Sequence, residues 1–265
     1  MIFPVPLRHH NSAAHRELLA EAINMADYAL EVAKGSVEGT TQVNKFGRNP
    51  NIASGATEEI WGGSAAYVWP ATALMTSISQ TTDQVALRGA TVEIQGLDAN
   101  YGLVVQNATL GNPTTTVVTL GTALIRCFRM KILADVVSTS TIRVHNAGET
   151  QDYAVISTGE NQTTMAIYTV PAGKTAYMTC YYAHHNPATN LDPTSNPVRL
   201  WARDKANSYE SQIKHVVGLP TNGGFQHFFN PYPKYTEKTD LYITASPVGK
   251  AADVSAGFDL ILVDN

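Results

Sequence analysis

The sequence predicts a mostly-β protein: an antiparallel β-sandwich, jelly-roll-like in its second half, preceded by an amphipathic helix and an extended arm. Three observations predict it. Beyond residue 85, short apolar-polar alternating runs recur about every eight to twelve residues with no helical pattern between them. Only one long run, near the N-terminus, has helical spacing. Charged residues make up 15% of the 265, against roughly 25% in an average soluble domain. Thr, Ser, Asn and Gln take their place, a composition suited to faces covered by neighbouring chains.

Ser12 caps a helix whose apolar positions are Leu18, Leu19, Ala22, Ile23, Ala26, Ala29, Leu30 and Ala33, ending at Gly35. Their spacing in threes and fours makes one stripe along about six turns. Two placements fit it: packed on the chain's own β domain, or docked as an arm on a neighbouring subunit. Residues 42–70 read as an irregular loop rich in turn formers. Large aromatics punctuate it, and such anchors pin a loop over a surface. Leu18, Leu19, Ile23 and Leu30 of the stripe, with Phe46, Trp61, Tyr67 and Trp69 of the loop, are the candidate partner contacts.

Thr91-Val92-Glu93-Ile94-Gln95 alternates, residues 96–100 turn, and residues 103–110 return as a hairpin. Strand-like runs follow at 123–133, 141–144 and 153–156. A second set comprises 165–170, 176–182, 198–203, 211–217, 225–229, 241–245 and 257–263. The expected division is an arm with helix (1–44), an Ig-like sandwich region with the aromatic loop (45–158) and a jelly-roll-like sandwich (159–265). A single larger sandwich built from both sets is the other arrangement.

No pattern for chemistry emerges. Gly173-Lys174-Thr175 would need a glycine at 168 to be a P-loop, and Tyr168 stands there, with a strand following instead of a helix. The adjacent pairs His9-His10 and His184-His185 point to opposite faces of a strand and make poor chelators. The spacing leaves open a metal held on a symmetry axis by one histidine per subunit. No Gly-x-Ser-x-Gly elbow occurs, and Cys127 and Cys180 sit in apolar strands, which buries thiols without activating them. Scattered carboxylates fit turn-capping. No catalytic residue, cofactor or metal site is therefore assigned. The net charge of −4 and the absence of a basic stripe disfavour nucleic acid. No apolar run is long enough to span a bilayer, and the N-terminus lacks the pattern of a secretory leader. Phe225, Phe228, Tyr232 and Tyr235 form a candidate secondary surface, either a glycan-stacking platform or a core strand with its turn.

The order of several segments resembles a virion structural protein family of tailed bacteriophages. These are Lys45-Phe46-Gly47-Arg48-Asn49-Pro50, Glu58-Glu59-Ile60-Trp61, Tyr67-Val68-Trp69-Pro70, and the stretches 92–101, 161–175, 236–241 and 254–259. The resemblance runs from residue 43 to the end; the helical segment before it departs from the shorter N-termini of that family. It implies a non-enzymatic part of the virion. The expectation built on it is a capsid decoration (cement) protein, assembled with itself as a trimer and bound to the major capsid protein. A tail, adaptor or fibre-base component and a carbohydrate-binding host-recognition module are the alternatives.

Overall fold

A computed structural model describes residues 28–63, 66–186, 193–220 and 222–265. The expected helix survives in its last turns as α1 (Tyr28–Lys34); positions 12–27, with Leu18, Leu19 and Ile23, lie outside the described residues. Gly35, at φ 75°, ends α1. Its N–H donates to Val32 and that of Ser36 to Glu31, a Schellman closure that needs a left-handed residue at this point. Val32 is the buried side chain of α1, whereas Ala29, Leu30 and Ala33 of the predicted stripe are exposed.

Strands β1 (Thr40–Ile52) and β2 (Glu58–Glu59) open the β body. Next come β3 (Met75–Gln80), β4 (Thr91–Leu97), β5 (Leu103–Thr109) and β6 (Val118–Leu124). They are followed by β7 (Arg126–Ile132), β8 (Ile142–His145) and β9 (Asp152–Ile156). The remainder is β10 (Ile167–Thr169), β11 (Lys174–Asn186), β12 (Pro197–Arg203) and β13 (Ser211–Gly218). The last four are β14 (Gly224–Phe228), β15 (Lys234–Tyr235), β16 (Asp240–Ala245) and β17 (Ala252–Asp264).

Two sheets, ordered β1-β17-β11-β14 and β10-β16-β12-β13, enclose one core. β15 adds to β11, and β2 extends the β10 edge of β16. The antiparallel pairs β1–β17, β10–β16, β11–β14 and β12–β13 nest outermost to innermost along the chain. A long hairpin of four strand pairs rolled over on itself gives this order, which is a jelly roll. β3 to β9 form a second sandwich, inserted between β2 and β10, with sheets β6-β3-β8-β9 and β5-β4-β7 around their own core.

The region expected to be irregular from residue 42 begins instead with a 13-residue strand. Asn44, Gly47, Asn49 and Pro50 read locally as turn formers, but β17 pairs with this segment from Thr40 to Asn49. Pro50 falls where the register slips between Asn49 and Ile52 on an edge strand, a place that tolerates a missing N–H. Residues 45–59 thus pair with strands near the C-terminus, while β3 to β9 pair among themselves.

β16 is buried along its whole length because both faces are covered. Leu241, Ile243 and Ala245 enter the jelly-roll core, while Tyr242 belongs to the core of the inserted sandwich. Close packing within the jelly roll explains Gly47: a Cβ there would lie 2.4 Å from both Ala166 N and Ile60 O, residues of the jelly-roll core.

Candidate functional site

The predicted aromatic loop is the mortar between the two sandwiches. Trp61 and Tyr67 are core residues, at 3% and 5% exposure, so the isolated chain does not offer them to a partner. A ladder of rings runs Trp61–Tyr67 (5.3 Å), Tyr67–Trp69 (4.8 Å), Trp69–Tyr242 (5.2 Å). The Glu59 carboxylate pins it by accepting the Tyr67 N–H at 2.8 Å. Phe46 is half-buried under the Arg129 guanidinium. The physical reason is area: large rings between two apolar sheet faces remove more surface from water than they could on a rim.

At the centre of this junction, Arg126 of β7 makes a bidentate pair with Asp240 of β16, at 2.9 and 3.0 Å, with both side chains buried. Thr169 Oγ1 donates to Asp240 at 2.6 Å, and Arg126 Nη1 donates to the Pro70 and Ile125 carbonyls. All three guanidinium nitrogens and both carboxylate oxygens have a partner, which is the condition for burying such charges. The network holds the two bodies together.

The inserted sandwich closes one flank of the jelly roll, the side of β1 and β10; the opposite flank is open. There the edge strands β13 and β14 have no second strand partner among the described residues. The register slips opposite Leu200 and Trp201, so that Ile213 pairs with Trp201 and His215 with Leu200. This bulge turns Ile213 to the outer face together with Val216. Phe228, paired with Cys180, projects from the outer face of the other sheet. Exposures of 48% for Ile213, 49% for Val216 and 69% for Phe228, with Tyr232 also exposed, describe an apolar rim around an unpaired double edge.

Behind the rim sits an aromatic cluster. Tyr181 packs edge-on against Phe225 at 4.9 Å, His215 stacks on His227 at 4.8 Å, and His227 meets Phe229 at 4.6 Å. The Tyr181 hydroxyl hydrogen-bonds to Nδ1 of His215. Burial raises the Tyr181 pKa and, followed by the neighbouring His227, lowers that of His215. Burial thus disfavours the charged form of both partners. Phe225 faces this cluster and Tyr235 is buried, so of the four aromatics singled out in sequence Phe228 and Tyr232 are the exposed ones.

Edge strands of monomeric proteins are usually guarded by charge. Here residues 211–232 contain one Lys, Arg, Asp or Glu, namely Lys214. At the chain's average of 15% charged residues, about three would be expected by composition alone. Charge depletion with exposed aromatic and β-branched residues is the signature of an interface centre. That depletion, visible in the sequence, could have marked Ile213 and Val216. Among the described residues no group of three or more His, Cys, Asp or Glu is gathered as for a metal ion, and no helix is long and apolar enough to cross a membrane. Cys127 and Cys180 are free and buried, one in each sandwich.

No protein-family model matches the chain, and neither does any curated protein. Among solved structures it is similar to the Cowpea mosaic virus top component, naturally occurring empty particles. The identity there is 10%, 76% of this chain and 85% of that chain are covered, and the TM-score is 0.22. It is also similar to T=1 particles derived from infectious bursal virus, at 10% identity, with 86% and 74% covered and a TM-score of 0.22. Likeness this slight carries nothing about function, which has to be argued from the open flank.

Proposed function

We propose that this chain is a virion structural protein, a capsid decoration subunit of a tailed bacteriophage, that works by covering surface and not by catalysis. Its partners are further copies of itself and the major capsid protein. The observation that carries this reading is the open flank, with two unpaired strand edges, an apolar rim of Ile213, Val216, Phe228 and Tyr232, and a single charged residue over 211–232. A chain that lived alone would pair, charge or cover such edges, because they invite strand addition from any neighbour. The exposed Leu30 on α1 supports a second contact through the N-terminal segment. Contacts made only in the assembled particle stabilise that particle by linkage, each adding to the assembled state and none to the free parts.

The test is assembly. The wild-type chain is expected to form a homo-oligomer by light scattering and to bind purified capsids. The Ile213→Asp/Phe228→Asp double variant is expected to stay folded, because both positions are exposed, and to lose both properties. A monomeric wild type that ignores capsids would overturn the proposal. So would a copy number in particles suited to a single ring at one vertex, which would place the chain in the tail.

A further inference from the structure

Away from the open flank, at the junction of the two sandwiches, β1, β7 and β10 border a solvent-open cavity of about 230 Å³. Its apolar walls are Phe128, Tyr168, Leu103 and Leu262, and its two cations are Lys45 and Arg129; no Asp or Glu lines it among the described residues. Lys45 is 3% exposed. Its ammonium donates to the Phe128 carbonyl and lies 5.7 Å from the centre of that ring. Arg129 donates from Nη2 to the Asn44 carbonyl at 2.9 Å and covers Phe46. Neither cation forms an ion pair among the described residues.

A buried ammonium beside a guanidinium, with no carboxylate among the described residues that line the cavity, is an uncompensated arrangement, and buried charge is ordinarily paired. The contrast lies in the same junction: Arg126 is buried as deeply and has Asp240 in a bidentate pair. Two cations converging on an aromatic-walled hollow are what an anion with an apolar body requires. The volume lies below the range of drug-sized pockets, about 300 to 1,000 Å³, which limits the occupant to a small group.

We propose that this cavity binds a carboxylate carried on a small apolar or aromatic body. Lys45 and Arg129 hold the carboxylate; Phe128, Tyr168 and Leu262 enclose the body. Two sources share this chemistry, a free carboxylic acid and the C-terminal carboxylate of a polypeptide. The inference stands independently of the virion reading.

Calorimetric titration of the full chain with phenylacetate at pH 8 tests it. One molecule is expected to bind per chain, with a Kd of about 1 mM or tighter. The uncharged phenylacetamide should bind about tenfold more weakly, as should phenylacetate to Lys45→Met or Arg129→Gln. Burial, followed by the charge of Arg129, pulls Lys45 down to about 7. A bound anion opposes that, so binding at pH 8 should take up protons, read as an enthalpy that varies with the ionisation heat of the buffer. The neighbouring Cys127 and Tyr168 are held protonated there by burial and do not supply this signal. A purely structural Lys45 would give no proton uptake. No saturable binding up to about 10 mM, or equal binding of the amide, would overturn the proposal, as would undiminished binding by Arg129→Gln, a partly exposed site that does not threaten the fold. Gly-Gly-Phe with a free or an amidated C-terminus separates the sources: binding of the free form alone assigns a polypeptide end, and no binding of either, with phenylacetate bound, assigns a free acid.

Discussion

Replacing Asp240 with Asn removes one charge at the seam between the sandwiches and leaves the Arg126 guanidinium buried without its counter-ion. Asp240 accepts three hydrogen bonds, two from Arg126 at 2.9 and 3.0 Å and one from Thr169 at 2.6 Å. Breaking a buried pair on one side costs about 3–5 kcal/mol. Asn keeps one acceptor oxygen, and the rings of Trp69 and Tyr101, centred 5.2 and 5.8 Å from the guanidinium, remain in place. The lower end, about 3 kcal/mol, is therefore expected. For a chain of this size each kcal/mol moves Tm by roughly 2–4 °C, so Asp240→Asn should lower Tm by roughly 6–12 °C in differential scanning calorimetry. Because the pair joins β7 of the inserted sandwich to β16 of the jelly roll, the single transition should also broaden or split. The Arg126→Met/Asp240→Leu double variant removes both charges and should recover most of the loss. A shift of Asp240→Asn below about 2 °C, with a sharp single transition, would refute the claim that this pair locks the junction.

Lys45→Met should be as stable as wild type or more so at pH 7. In the wild type the folded pKa near 7 lies below the unfolded value near 10.4. The unfolded chain therefore binds more protons over that window, and wild-type stability rises with pH by up to about 1.4 kcal/mol per unit relative to the variant. Urea unfolding at pH 7 and 9 reads this; parallel curves would contradict it. Gly47→Ala places a methyl group against two backbone atoms and should cost about 1–3 kcal/mol or more, measured as a lower urea midpoint. Burial pushes the Cys127 thiol up to about 12, and burial together with Asp259 pushes Cys180 up to about 11. Both should be inert to a disulfide reagent in the native state at pH 8 and react on unfolding; rapid labelling of either would show an accessible thiol.

The strand pattern was legible because each strand has one face in a core. The hairpin over 91–109 appears as β4 and β5, with Tyr101 in the left-handed turn, and the second set of runs corresponds to the jelly-roll strands. What local pattern could not carry was long-range pairing. Residues 42–52 hold turn formers yet become a strand, because β17 lies more than 200 residues away and pairs with it. The same blindness put Trp61 and Tyr67 on a partner surface. Aromatics in a loop look alike whether they face solvent or a second body of the same chain, and only the insertion of β3 to β9 decides it. At the open flank, Phe228 and Tyr232 were visible as aromatics. Charge depletion over 211–232 could have marked the segment of Ile213, but not the face that its side chain takes, since the bulge that turns it outward exists only in the register with β12.

The most direct test of the account is amide hydrogen exchange at Ser211–Gly218 and Gly224–Phe228, compared between the isolated chain and purified particles that contain it. Their outward N–H groups have no strand partner among the described residues, so the account predicts fast exchange at these edges in isolation and strong protection in the particle. Equal exchange in both states would mean that the flank stays wet in the particle, and the chain would have to work through some other surface.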